Sequence, residues 1–188
     1  MAVTIAATSA WTMGVRDSQD KDLEMTRKKL NGPRLGISYV PGWDWADQNG
    51  EFRARLEERG MGPTISQFGW HFEWLVAPQG GGPAFVTELL PFIGGVEYGK
   101  VIPSTSLVFG IRMPVGFEFG MGPNVMTTFD PDNPIHTSLL IAVGQSLSFG
   151  EVQIPLNIAI LTNKTGNRLS FVFGYALPDR KKRVRNAW

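Results

Sequence analysis

Between Leu107 and Met121 the chain alternates strictly, and few folds accept such a stretch. The odd positions are Leu107, Phe109, Ile111, Met113, Val115, Phe117, Phe119 and Met121. The even positions are Val108, Gly110, Arg112, Pro114, Gly116, Glu118 and Gly120. Successive strand side chains point to opposite faces, so this is a strand pattern with one greasy face. A water-facing sheet would offer Lys, Glu, Thr and Asn on its other face. Here that face is mostly glycine with one Arg and one Glu, which suits a crowded barrel lumen with the greasy face turned outward.

The same pattern recurs along the chain. Arg34 to Val40 sets Leu35, Ile37 and Tyr39 against Arg34, Gly36 and Ser38. Thr64 to Val76 sets Phe68, Trp70, Phe72 and Trp74 against Gln67, Gly69, His71 and Glu73. Four aromatics in one row would be an aggregation liability in water but form a rib in lipid. Ala84 to Tyr98 alternates less regularly, with a disturbance expected at Pro91 or Gly94-Gly95. The opening stretch divides at Pro114 and Gly116 into strands 104–112 and 116–122. Parity sets that turn: Arg112 and Gly116 share a face, so a three-residue connection keeps both faces consistent. Thr137 to Phe149, Glu151 to Leu161 and Arg168 to Leu177 complete the set. In the last, Phe171 and Phe173 lie on the greasy face.

These segments predict an all-β fold: a closed, antiparallel, up-and-down β-barrel of about eight strands, the even number that membrane barrels favour. The 188 residues suffice for one such domain. The expected organisation is an N-terminal arm over 1–32, a transmembrane barrel over 33–178 and a basic tail over 179–188. A short helix is read at Ser18 to Leu30, and another at Asn49 to Arg59 in the first long connection, with Phe52 and Leu56 one turn apart. Trp43 and Trp45 suit a membrane interface. With both termini in the periplasm, the longest connections, Pro41 to Pro63 and Pro123 to His136, fall on the extracellular side.

Charge placement supports this more than its sum. The net charge of +1 gives no reason to expect nucleic acid. From Gly60 to Ala176 only eleven residues are Asp, Glu, Lys or Arg, too few to keep a water-soluble barrel in solution. No apolar run reaches the length of a transmembrane helix, yet alternating strands average to neutral hydropathy. The first residues lack the basic start and long apolar core of a signal peptide. There is no Cys, which excludes disulfides and thiolate metal sites.

QFGWHFEW at Gln67 to Trp74, GGVEYG at Gly94 to Gly99 and GFEFGMGPN at Gly116 to Asn124 resemble segments of small, uncharacterised bacterial outer-membrane β-barrels. The resemblance covers roughly residues 32–177 and implies a barrel in the outer membrane of a Gram-negative cell. One departure is the end of the chain. Trp188 follows a basic tail, so Phe171 to Tyr175 carries the closing-strand aromatics.

Arg34, His71, Glu73, Arg112, Glu118 and Arg168 are expected to face the lumen, as a structural plug or as the lining of a narrow, porin-like path. Phe68, Trp70, Phe72, Trp74, Phe109, Phe117, Phe119, Phe171 and Phe173 are expected to face lipid. His136, Ser138 and Glu151 invite an enzymatic reading, similar to the base, nucleophile and orienting acid of outer-membrane lipid A deacylases. Two histidines and no cysteine make no metal cluster, and no cofactor motif is present.

The resulting expectation is an outer-membrane barrel with a structural, interaction or narrow-pore role rather than catalysis. Membrane lipid is its partner, and the arm and the basic tail are the candidate contacts for a protein. The rival is a soluble lipid-binding barrel, whose greasy face would point inward. A third class is the lipid hydrolase, which Ser138→Ala would silence.

Overall fold

The computed structural model describes residues 29–42, 49–78, 82–127, 134–149, 152–164 and 166–176. It is a closed barrel of eight strands in sequence order: β1 (Gly32–Tyr39), β2 (Thr64–Val76), β3 (Ala84–Gly94), β4 (Ile102–Arg112), β5 (Phe117–Thr127), β6 (Ile135–Phe149), β7 (Val152–Asn163) and β8 (Gly166–Gly174). Every neighbouring pair is antiparallel. Arg34↔Gly174 to Tyr39↔Leu169 closes the ring between first and last strands. Strand directions place Gly32 and Gly174 at one end, the base. The rim at the other end carries the long first connection.

Alternation decides which residues are inside. Along β2, His71 and Glu73 are buried while Phe68, Trp70, Phe72 and Trp74 are 45%, 38%, 43% and 55% exposed. Phe109, Phe117, Phe119, Phe171 and Phe173 are exposed as well, with Leu35, Ile37, Leu139, Val143, Ile158 and Ile160 on the remaining strands. This orientation is opposite to the one a soluble carrier with a greasy interior requires. Every Asp, Glu, Lys or Arg within the eight strands (Arg34, Glu73, Glu88, Arg112, Glu118 and Arg168) shares the inward parity of its strand. The outer face of the strands carries no formal charge.

Two of the strand assignments need correction. β3 stops at Gly94, and Val96–Tyr98 is a 3-10 turn flanked by Gly95 and Gly99, both at positive φ. β5 runs to Thr127 through the Gly122-Pro123 step, which the sequence places in a loop. Pro123 lacks an N–H, and the β4–β5 ladder is interrupted between Ser106↔Asn124 and Phe109↔Met121. The strand continues because Pro123↔Leu139 still pairs on the β6 side. Pro91 makes the corresponding break between β2 and β3. With β5 longer, connection 128–134 is no longer than connection 77–83 at the base, so only the first connection is long. The β4–β5 turn preserves parity: Arg112 pairs with Glu118 and both point inward.

The first connection contains α1 (Asn49–Glu58), which lies against the rim. Leu56 is buried with Val40, Met61, Ile65 and Ile102, and Phe52, Tyr98 and Met126 pack around them. Gly60, at φ 70, lets the chain leave the helix by a left-handed step. Met61 N–H then donates to Leu56 O and Gly60 N–H to Glu57 O, both at 2.9 Å. The proposed helix at Ser18 to Leu30 lies mostly outside the described residues; Trp43, Trp45, Glu151 and the basic tail lie wholly outside them.

Candidate functional site: the lumen

The lumen is stacked in three layers. At the base is an ion-paired network. Arg112 on β4 grips Glu73 on β2 through both terminal nitrogens, with Arg112 Nη1 3.0 Å from Glu73 Oε1 and Nη2 donating to Oε2. Arg112 Nε donates to Glu118 Oε1 on β5 at 2.6 Å, and Ser146 Oγ donates to the same oxygen at 3.2 Å. A planar guanidinium bridging two carboxylates in this way is a strong, directional lock.

Arg34 and His71 form the other half of the base. Arg34 Nη2 donates to Leu30 O and lies 2.7 Å from His71 Nδ1. The same Nδ1 lies 2.7 Å from Leu30 O, so it sits between a group that only donates and one that only accepts, and these contacts fix neither tautomer. Nε2 faces Glu88 Oε2 at 3.4 Å. Leu30 and Asn31 precede β1 and tuck into this end. Leu30 is buried, and Asn31 Oδ1 accepts from Glu73 N–H at 2.7 Å. Gly174 makes room for Arg34: a Cβ there would stand 2.5 Å from Arg34 Cδ and 2.4 Å from Pro33 O.

The middle layer is apolar. Leu90, Phe92, Val108, Leu140, Ala159, Leu161 and Val172 are buried together, with Ala142 against them. A belt of this kind excludes water between the two polar ends.

The rim layer holds Arg168, Asn124, Ser106 and Ser138. Asn124 Nδ2 donates to Ser106 Oγ at 2.9 Å, and Ser138 Oγ donates to Asn124 Oδ1 at 3.2 Å. Arg168 Nη2 reaches that same oxygen at 3.4 Å, and Nη1 lies 2.8 Å from Met126 Sδ. Ser38 and Ser170 share a hydrogen bond nearby, to which Gln67 Nε2 adds a 2.9 Å bond.

All six expected lumen residues therefore point inward, but they do not form one network. Arg34, His71, Glu73, Arg112 and Glu118 gather at the base, while Arg168 stands apart near the rim. Glu88 belongs with the first group and was not anticipated. Its strand alternates poorly in hydropathy because Val86, Leu90 and Phe92 also face inward.

His71, Glu73 and Glu88 bring ligand atoms within 4.8 Å of one another. Both Glu73 oxygens are committed to Arg112, which leaves one imidazole and one carboxylate for a metal. The arrangement is ion pairing rather than a metal cage.

The hydrolase constellation is not assembled. Ser138 donates to Asn124, and among the described residues no hydrogen bond joins it to His136. Glu151 is outside the described residues. No family model, no curated protein and no solved structure matches this chain.

Proposed function

We propose that this chain is an integral β-barrel of a bacterial outer membrane with a closed lumen and a structural or interaction role. The supporting observation is the outer face of the strands. It presents rows of Phe, Trp, Leu and Ile without one formal charge, while every charged strand residue is turned inward. Such a surface suits lipid and is costly in water. Most of the strands are 11 residues or longer, enough for a tilted strand that needs about 9–11 residues to cross a bilayer.

Against a pore role, the base is locked by Arg112 between Glu73 and Glu118, and the apolar layer lies above it. Against catalysis, His136 and Ser138 are not paired. The barrel's outer loops, its arm and its tail are then what remain for contact with other molecules.

The test is refolding of the full chain in detergent beside the same chain in detergent-free buffer, read by heat-modifiable gel migration and circular dichroism. A β-rich, heat-modifiable species that needs detergent is the expected result. A monodisperse β-rich protein in plain buffer would overturn the membrane assignment. Planar-bilayer recordings of the refolded protein are expected to show no steady conductance.

A further inference from the structure

Arg168 is the one charged residue of the strands that the base network does not absorb. Its contacts are a thioether and an amide oxygen that Ser138 already uses. No described carboxylate lies within ion-pairing distance of it. Salt bridges satisfy Arg112 from two sides, and carbonyl oxygens with His71 surround Arg34. A cation set into a barrel wall without a counter-charge is costly, and an anion supplied from outside offsets that cost.

Two cavities of about 60 Å³ each meet at Arg168. The first lies between α1 and the rim. Arg55, Arg59, His136 and Arg168 line it, with the apolar side chains of Phe52 and Leu56, and no described carboxylate does. Arg55 is exposed on the outer side of this cavity. The second cavity lies deeper. Its walls include Leu90, Phe92, Val108, Leu140 and Ala142, with Glu88 at its base side and Arg168 above. Arg168 thus stands between a cavity under α1 and one beside the apolar layer.

We infer that Arg168 is the anchor of a binding site for a small monocarboxylate, entered beneath α1, with the carboxylate on the guanidinium and a short alkyl chain in the apolar layer. Guanidinium donors match a carboxylate in pairs, which favours this anion over a spherical halide. Size limits the chain. A cavity of about 150 Å³ holds benzene, so one of about 60 Å³ takes only a few heavy atoms. Glu88 on the far side disfavours a second negative group and selects a monoanion. The inference rests on the interior of the barrel and holds whichever solvent surrounds it.

Butyrate is the probe. The full chain is refolded in a nonionic maltoside, with heat-modifiable migration as the folding control, and saturable binding is followed by ligand-detected NMR with acetate and butanol alongside. Native protein should bind butyrate with a dissociation constant of the order of 1 mM and butanol far more weakly. Arg168→Gln should weaken butyrate about tenfold or more, the loss of a charge-assisted pair. Arg168→Lys, which keeps the charge and loses the paired donors, should bind between native and Arg168→Gln protein. Ala142→Leu, which narrows the deeper cavity, should weaken butyrate and spare acetate. Folded native protein that binds no butyrate up to about 50 mM would overturn the inference. So would equal affinity in native and Arg168→Gln protein. Where Arg168→Gln fails to fold, equal loss of acetate and butyrate in Ala142→Leu counts against the site, and selective loss of butyrate supports it.

Discussion

Arg112 shows what a single residue does in this fold. It is 1% exposed and holds two carboxylates, one of them, Glu73, only 3% exposed. Breaking a buried pair from one side costs about 3–5 kcal/mol, because the remaining charges stay buried without a partner. Arg112→Met should therefore lower the unfolding free energy of the detergent-folded barrel by about that amount. Adding Glu73→Gln and Glu118→Gln to the same chain should recover most of the loss in urea titrations. Continued loss in the triple variant would mean that Arg112 acts through packing instead. Glu97, in the 3-10 turn at the rim, is a second case. Its partial burial alone would raise its pKa, but donation from Ser66 Oγ and, at 2.6 Å, from Ser66 N–H outweighs this and holds the carboxyl below its ordinary value. A lowered folded value means that the contact is present above the ordinary glutamate range and is lost as pH falls through the lowered value. The Ser66 amide should lose protection in hydrogen exchange over that acidic window. In Glu97→Gln protein the exchange should be insensitive to pH beyond the chemistry of exchange itself.

Among the elements, α1 joins the rim by few side chains. Phe52 and Leu56 supply its apolar contacts, and Arg53 and Glu57 pair across one turn on the outer side at 3.0 Å. Leu56→Ala removes the most buried of these contacts and should cost about 2–4 kcal/mol locally. The helix should then detach while the barrel persists. Limited trypsin digestion should cut at Arg53, Arg55 or Arg59 in the variant well before native protein, with heat-modifiable migration unchanged. Uncut variant protein would show that other contacts hold the helix. The elements also differ in how legible they were. β2 was readable to the residue, since Phe68 to Trp74 alternates with polar residues and both ends carry turn signals. β5 was read too short because a Gly-Pro step normally ends a strand, yet pairing on the β6 side carries it past Pro123. The parity of Arg112 and Glu118 foretold that they share the lumen but not that Arg112 also reaches Glu73, which lies across β3. Contacts across a barrel depend on strand stagger and closure, and no local pattern encodes those. Glu88 was missed for a related reason: an inward face that mixes Val, Leu and Phe with one Glu has no clean period.

The molecule as a whole sorts its residues by the opposite rule to a water-soluble barrel. Charges pair inside, aromatics stand outside, and an apolar layer and a helix close what remains of the lumen. Alternation conveyed that aromatics stand outside and charges inside, because a period of two leaves only one choice, which face is the interior; the apolar layer within the lumen departs from the polar interior that the sequence led us to expect. Glycine settled that choice, since an interior crowded by eight strands has little room for side chains on the face that Gly110, Gly120 and Gly174 occupy. The membrane reading stands on the outward face, so it is best tested there. Of the six tryptophans, Trp70 sits within the β2 row, 38% exposed. With the other five replaced by Phe, Trp70 fluorescence should be strongly quenched in bilayers of lipids brominated along their acyl chains and barely quenched by aqueous acrylamide. Efficient quenching by acrylamide, with no effect of the brominated chains, would place the row in water and contradict the account.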